Sequence, residues 1–198
     1  MKVLQNYSPK LISTFGNRTY WINGKQVTDY HIGIDIVADI DGVSGFDHIL
    51  AVSNGKVELV VNDIPGYVDG GSYGNQIVIN HKNGYKTRYA HLKQNSVPLN
   101  VGDGVNEGQV IGYMGMTGNI TAGHLHFEII KDNIEIDPYD YIFNNKKFES
   151  ENTNPPVEEP NNNDQVEEKV SSIGSSNKFW INLFKKVKEL FNRIFSKK

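Results

Sequence analysis

The sequence predicts an all-β protein: a small antiparallel barrel or sandwich, followed by a linker and a single C-terminal helix. Short segments such as QIVINH (76–81) and GYKTRYAHL (84–92) cluster or alternate apolar residues, as half-buried strands do. Gly, Asn and Asp interrupt these segments roughly every 8–12 residues, which is the turn spacing of β-sandwiches and barrels. No long segment of helical periodicity interrupts them before residue 149.

Charge divides the 198 residues into three parts. Residues 1–148 carry a net charge of −3, residues 149–176 carry −6, and residues 177–198 carry +6. The first part is long enough to form one domain with its own core, whereas the other two are too short. We therefore predict a folded domain over 1–148, a linker over 149–176 and a basic helix over 177–198.

The linker prediction rests on composition. Residues 149–176 contain three prolines, an Asn161–Asn163 run and seven acidic residues, with very few apolar side chains. Such a segment cannot bury enough apolar surface to offset the entropy of ordering it. We expect a solvated connection without fixed structure.

The C-terminal segment has the pattern of an amphipathic helix, and Asn177 is a suitable N-cap. Its apolar residues recur at three- and four-residue steps: Trp180, Leu183, Phe184, Val187, Leu190, Phe191, Ile194 and Phe195. Its basic residues fall mostly on the other side: Lys178, Lys185, Lys186, Lys188, Arg193 and Lys197. Three interpretations remain open, namely binding in the plane of an anionic membrane, docking on a partner or a second copy, and folding against the acidic linker.

Composition limits the possible chemistry. The chain has no cysteine, so disulfides, thiolate metal sites and a cysteine nucleophile are excluded. The strong metal ligands that remain are His, Asp and Glu. A net charge of −3 gives no reason to expect nucleic-acid binding. Residues 1–18 lack the continuous apolar stretch and the cleavage site of a secretory signal.

Two short motifs suggest a metal centre. In HLHFEII (124–130), His124 and His126 share one face of a predicted strand, while Leu125 and Phe127 point to the core. In HIGID (31–35), His31 and Asp35 would be about 13 Å apart along an extended strand. A bend at Gly33 would bring both side chains to one ion. Two imidazoles, one carboxylate and an open position make the ligand set of a catalytic zinc site.

The other histidines have weaker signals. His91, in the strand-like segment RYAHL, is a further candidate for proton transfer. His48 and His81 lie in polar, loop-like sequence, and we interpret both as structural or incidental. A lone His or an isolated HxH pair is more often structural than metal-binding, so these motifs need support from the rest of the chain.

That support comes from the order of the motifs. HxxxD, then Tyr-x-His-Leu, then HLHFE resembles the lysostaphin-like (LytM-type) zinc endopeptidases, which cut bacterial cell-wall peptides. The resemblance covers about residues 10–145. It includes FGNR (15–18), AVSNGKVELV (51–60), YGNQIVINHKNGYKTRYAHL (73–92), VGDGVNEGQVIGYMGMTGNITAGHLHFEI (101–129) and IEIDPYDYI (134–142).

The resemblance implies roles for individual residues. His31, Asp35 and His126 would be the ligands of a Zn²⁺ ion, and His91 and His124 would be the catalytic imidazoles. The chain would then be a zinc metalloendopeptidase acting on the stem peptide or the cross-bridge of peptidoglycan. Which of the two imidazoles is the general base stays open.

Two segments depart from the family pattern. Residues 38–50 are longer and more polar than expected of the family, and residues 62–72 are also long. We expect both to form loops at the rim of the substrate groove, where they would influence specificity.

The biological context is a further hypothesis. A cell-wall hydrolase without a predicted secretion signal, but with a cationic amphipathic helix, fits a bacteriophage or prophage endolysin. Such an enzyme is made in the cytoplasm and reaches the wall after release. The alternative is a tail-associated, virion-borne lysin used at infection. The oligomeric state is open.

A rival class is the non-catalytic lipoyl- or biotinyl-like binding module, whose sequences have a similar pattern of strands and turns. Such a module needs a lysine at a hairpin tip, usually beside methionine. Lys56 is the lysine in the corresponding segment and has no methionine neighbour.

Overall fold

The computed structural model describes residues 1–22, 24–70 and 72–149. The helix predicted for 177–198 and the linker predicted for 149–176, apart from its first residue, lie outside the described residues. The elements in chain order are β1 (Ser8–Ser13), β2 (Gly16–Ile22), β3 (Lys25–His31), β4 (Ile34–Ile40), β5 (Val43–Gly45), β6 (His48–Leu50), β7 (Gly55–Val61), β8 (Asn75–Asn80), β9 (Tyr85–Leu92), β10 (Gly104–Val105), β11 (Val110–Tyr113), β12 (Leu125–Lys131), β13 (Ile134–Ile136) and α1 (Tyr139–Phe143).

The described strands form one large sheet and two small ones. The large sheet has nine strands in the order β1-β4-β12-β9-β8-β7-β10, with β13 added to β12 and β5 added to β4. The hairpin β2–β3 and the pair β6–β11 form separate two-stranded sheets. Every pairing between these strands is antiparallel. The predicted antiparallel all-β class is therefore confirmed.

One hydrophobic core lies against the large sheet. Alternate residues of β4 and β12 enter it, among them Ile36, Leu125 and Phe127, all fully buried. The pair β6–β11 covers this core from the other side with Ile49 and Ile111. Because side chains alternate along a strand, the residues between these apolar positions are directed to the opposite face of the sheet.

The two segments expected to be rim loops differ from each other. Residues 38–50 contain the end of β4, the strand β5 that pairs with it, and β6. The expectation of one long loop there is wrong, because the Asp41–Gly42 turn, with φ of 52° and 84°, reverses the chain into a hairpin. Residues 62–70 and 72 contain no strand, as expected.

The two histidines interpreted as structural occupy different environments. His81 is buried; its Nδ1 lies 2.8 Å from the carbonyl oxygen of Asn54, and its Nε2 lies 2.7 Å from the hydroxyl of Thr87. His48 is exposed and contacts the ring of Tyr113 edge-on. Neither faces the cluster described below.

Among the described residues, no helix is long and apolar enough to cross a membrane.

Candidate metal centre

Strand register brings together two of the predicted ligands. Asp35 on β4 and His126 on β12 are directly opposite each other in the antiparallel ladder. Directly opposite residues have Cβ atoms about 4.5–5.5 Å apart, so the two side chains meet above the face opposite the core. Asp35 and His126 are 91 residues apart in the sequence, and the pairing of β4 with β12 brings them together.

The third ligand reaches the same point through a bend. His31 is the last residue of β3 and Asp35 is the second of β4, with Ile32 and Gly33 between the strands. A side chain at Gly33 would place its Cβ 2.5 Å from the carbonyl oxygen of Phe127 and 2.9 Å from Cε1 of His126. The predicted bend is confirmed, and glycine is needed there because the backbone passes against a ligand ring.

The three side chains form a compact buried cluster. Nε2 of His31 lies 3.0 Å from Nδ1 of His126 and 3.1 Å from Oδ1 of Asp35. Nδ1 of His126 lies 2.9 Å from the same carboxylate oxygen. The relative exposures of His31, Asp35 and His126 are 5%, 7% and 6%. Three ligand atoms thus face one point, close enough to share an ion.

In His31 and His126, the ring nitrogen that points away from the cluster lies against a hydrogen-bond acceptor, and this arrangement fits zinc binding. Nδ1 of His31 lies 2.9 Å from the carbonyl oxygen of Thr14, so it donates there as N–H and leaves Nε2 as a lone pair. Nε2 of His126 lies 3.0 Å from Oε1 of Glu128, which leaves Nδ1 as the inner lone pair. A metal-binding histidine characteristically donates its other N–H to a carbonyl or carboxylate in this way.

The electrostatics of the cluster favour a cation at its centre. Burial by itself would raise the pKa of Asp35, but in the metal-free protein the surrounding imidazoles of His124, His126 and His31, when protonated, donate to its carboxylate and hold that pKa well below its ordinary value. Burial would lower the pKa of His126, yet hydrogen bonds to Asp35 and Glu128 raise it. The same cluster that stabilises a proton between these groups is suited to a divalent cation in its place.

The two predicted catalytic imidazoles lie beside this cluster. The ring centroids of His91 and His124 are 5.0 Å apart, and those of His91 and His126 are 5.8 Å apart. Nε2 of His124 lies 3.5 Å from Oδ1 of Asp35. All five histidine and aspartate positions predicted from sequence therefore converge.

His91 is held in an unusual backbone conformation. Its φ is 60°, in the left-handed region that costs a non-glycine residue about 1–3 kcal/mol. Its backbone N–H donates to the carbonyl of Tyr73, and its Nδ1 donates to the carbonyl of Thr117 at 2.8 Å. Burial, with a smaller contribution from His124, lowers the pKa of His91 to about 4. The ring is therefore neutral near pH 7, with Nε2 as a proton acceptor.

Sequence reasoning missed the carboxylate behind His126. Glu128 is 1% exposed; it accepts hydrogen bonds from the hydroxyl of Tyr73 at 2.7 Å and from Nε of Arg88 at 2.8 Å. Burial would raise the pKa of Glu128, but the hydrogen bonds from His126 and Tyr73 lower it. The available signal was the strand alternation in HLHFE, which puts Glu128 on the face of His126.

A second missed network connects the β2–β3 hairpin to the cluster. Arg18 makes a two-point ion pair with Asp29 across the hairpin, at 2.7 and 3.1 Å. Its Nη1 also donates to the hydroxyl of Ser13 at 3.0 Å and lies 3.4 Å from Oδ2 of Asp35. The sequence identifies FGNR only as a segment of the family pattern, and the structure places its arginine against the carboxylate ligand.

The cluster forms the floor of an open groove of about 940 Å³. One wall comes from β1 and β2, and the opposite wall comes from Ser72, Tyr73 and residues 119–122. None of residues 38–50 is among the residues that line this groove, although the ring of Phe46 packs against Gly123, between Ala122 and His124 of the groove. Among the described residues of the 62–72 segment, Ser72 lines the groove.

A buried cluster of two imidazoles and one carboxylate, at the floor of an open groove, has the ligand set and the substrate access of the metal site in a metal-dependent hydrolase. Residues 29–138, more than half of the chain, match Peptidase family M23, and the chain belongs to this family. M23 enzymes are zinc metallopeptidases, and the cluster of His31, Asp35 and His126 fits that metal. The rival interpretation as a lipoyl-like module is therefore wrong.

Individual proteins show the same likeness. The peptidoglycan DD-endopeptidase ShyB of Vibrio cholerae is 32% identical over 136 residues, which are 69% of this chain and 26% of that protein. The chain spans about a quarter or less of the first curated relatives it matches.

Two solved structures are also similar to this chain in fold and sequence. The catalytic domain of lysostaphin from Staphylococcus simulans is 30% identical, with a TM-score of 0.50 over 69% of this chain and 92% of that one. A zinc-containing peptidase from Vibrio cholerae is 29% identical, with a TM-score of 0.50 over 69% and 39%.

Proposed function

We propose that this chain is a zinc-dependent endopeptidase that cleaves peptide bonds of bacterial peptidoglycan, in the stem peptide or the cross-bridge. The observation that carries the proposal is the convergence of His31, Asp35 and His126 on one point, with His91 and His124 beside it. Membership in the M23 family and the likeness to named peptidoglycan endopeptidases support the substrate class.

The metal site is built from three side chains. His31 through Nε2, His126 through Nδ1 and Asp35 through Oδ1 would hold the ion, because these are the atoms that face one another. When bound, zinc lowers the pKa of a coordinated water molecule to near neutrality and polarises the scissile carbonyl group. The open groove above the cluster gives an extended peptide access to this point.

His91 and His124 supply proton transfer. Nδ1 of His91 donates to the Thr117 carbonyl, and Nδ1 of His124 lies 2.9 Å from the Ala122 carbonyl. Each neutral ring therefore keeps Nε2 unprotonated as an acceptor. One ring would accept the proton of the attacking water, while the other, as an imidazolium, would stabilise the developing oxyanion or protonate the leaving amine.

Two substitutions test the assignments. His126→Ala removes a ligand, so both bound zinc and activity should be lost. His91→Ala removes only the proton-transfer group, so zinc should stay near one ion per chain while turnover falls about 100-fold or more. Metal analysis and the release of soluble fragments from purified sacculi measure the two effects. Full activity of His91→Ala would refute its role, and mass spectrometry of the fragments identifies the bond that is cut.

We further propose that the enzyme is a bacteriophage or prophage endolysin, made in the cytoplasm and acting on the wall after release. The support is the amino-acid pattern of 149–198: an acidic, proline-containing segment followed by the +6 amphipathic segment 177–198. In this proposal the linker gives the catalytic domain reach, and the basic segment binds anionic membrane. The alternative is a virion-associated tail lysin, and detection of the chain in purified virions would favour it.

Liposome co-sedimentation tests the membrane proposal. The full chain should sediment with anionic vesicles and much less with neutral ones, and a chain ending at Glu149 should sediment with neither. Equal binding of the full chain to both vesicle types would contradict an electrostatic membrane contact.

A further inference from the structure

Glu128 is a buried carboxylate whose two oxygens are both fully engaged. Its Oε1 lies 3.0 Å from Nε2 of His126 and 2.7 Å from the hydroxyl of Tyr73. Its Oε2 accepts a hydrogen bond from Nε of Arg88 at 2.8 Å. We propose that Glu128 is a positioning residue that sets which nitrogen of His126 carries the ring proton, so that the lone pair of Nδ1 faces the metal cluster. This inference rests on the proposed metal site.

The selection follows from the chemistry of a neutral imidazole, which has one N–H donor and one lone pair. An ionised carboxylate only accepts hydrogen bonds, so it requires the N–H to be on Nε2. The lone pair is then on Nδ1, the atom that lies 2.9 Å from Oδ1 of Asp35 and 3.0 Å from Nε2 of His31. With the proton on Nδ1 instead, His126 could not ligate a cation from this position.

The carboxylate is itself held on rigid elements. Arg88 on β9 is directly opposite Glu128 on β12 in the strand register. The Arg88 guanidinium lies 4.4 Å from the centroid of the Tyr73 ring and also donates to Oε1 of Gln76. Arg88 therefore fixes one oxygen of Glu128, and the other is left for His126 and Tyr73.

The sharpest test is Glu128→Gln. The charged donor Arg88 binds the amide oxygen in preference to the amide NH₂ group. The NH₂ group would then face Nε2 of His126, which must become an acceptor, and the ring proton would move to Nδ1. We expect zinc affinity to fall about 10–100-fold, the usual loss when the partner of a metal-binding histidine is changed.

A second substitution turns this into a rescue experiment. In Arg88→Met/Glu128→Gln the competing donor is absent, so the amide oxygen is able to turn toward His126 and restore the Nε2–H tautomer. Zinc affinity should recover several-fold relative to Glu128→Gln alone. Competition with a chromophoric chelator measures the affinity of each purified full-length variant, and imidazole ¹⁵N chemical shifts report the tautomer. Neither readout involves substrate.

Glu58→Gln is the matched control, because Glu58 is a half-exposed carboxylate paired with Lys86 at 2.7 Å on the same sheet. Its zinc affinity should equal that of the parent. Parent-like affinity of Glu128→Gln, or a loss that Arg88→Met does not reverse, would overturn the inference.

If Glu128→Gln does not fold, the imidazole ¹⁵N chemical shifts of the metal-free parent test the same contact, since an ionised Glu128 requires the proton of a neutral His126 ring to be on Nε2. A neutral ring with its proton on Nδ1 would then overturn the inference. A parent protein that binds zinc normally but releases no fragments from sacculi would contradict the proposed function alone.

Discussion

Gly33 is the residue on which the shape of the metal cluster most directly depends. The chain must turn between the end of β3 and the start of β4 while passing against the ring of His126. The space there is filled by backbone of Phe127 and by the ligand ring itself. A hydrogen atom fits at this position, and a methyl group does not.

Gly33→Ala should therefore destabilise the fold and disturb the ligand ring together. We expect a loss of about 1–3 kcal/mol in the free energy of unfolding, the usual cost of overpacking, and weaker zinc binding. Urea unfolding and chelator competition measure the two effects. Gly104→Ala is the control, since a Cβ there meets nothing within 4 Å. Unchanged zinc affinity in Gly33→Ala would show that the ring tolerates the extra group.

At the scale of elements, the large sheet supplies rigid positions for the ligands, strands β1 and β2 form one wall of the groove, and loops form the other. The loop between β7 and β8 is held by the buried side chain of Asn75 at the start of β8. Its Oδ1 accepts from the N–H of Ile64 at 2.8 Å, and its Nδ2 donates to the carbonyls of Ile64 and Leu92. This side chain anchors the start of the loop that leads into Ser72 and Tyr73, and backbone hydrogen bonds to Gly118 and Asn119 hold the rest.

Replacing Asn75 by Ala should loosen this loop. The partly buried N–H of Ile64 loses its partner, and the loss should cost up to about 1 kcal/mol, below the range for a fully buried group. Limited proteolysis should show faster cleavage within 62–72, and urea unfolding should show the lost stability. Asn80→Ala is the comparison, because its exposed amide donates to the exposed side chain of Glu58 at 3.0 Å. Equal protease sensitivity of the two variants would contradict the anchoring role.

At the scale of the whole molecule, stability should depend on pH through His81. Burial lowers its pKa in the folded state, and a hydrogen bond to the Asn54 carbonyl only partly opposes this. Below about pH 6.5, the ordinary histidine value, the unfolded chain takes up a proton that the folded protein resists. The folded state is therefore favoured less as the pH falls below that value.

We expect the free energy of unfolding of the parent to fall more between pH 7 and pH 5 than that of His81→Gln. Urea titrations in excess chelator, with both proteins metal-free, measure the difference without interference from zinc release. Parallel pH profiles would show that His81 does not contribute to the acid sensitivity.

The sequence by itself determined the strand-rich domain and the residue types of the metal centre. Strand alternation placed His124 and His126 on the face opposite Leu125 and Phe127, and a glycine inside HIGID indicated the bend. These features are local, because side-chain direction and backbone freedom depend on a few neighbouring residues.

Only the tertiary structure decided what surrounds those ligands. The register of β9 and β12 places Arg88 beside Glu128. The position of the β2–β3 hairpin places Arg18 beside Asp35. The groove walls likewise come from β1, β2 and the 119–122 loop rather than from 38–50. Contacts between residues far apart in the chain depend on how the strands pair across the whole sheet, and no short segment of sequence specifies that pairing.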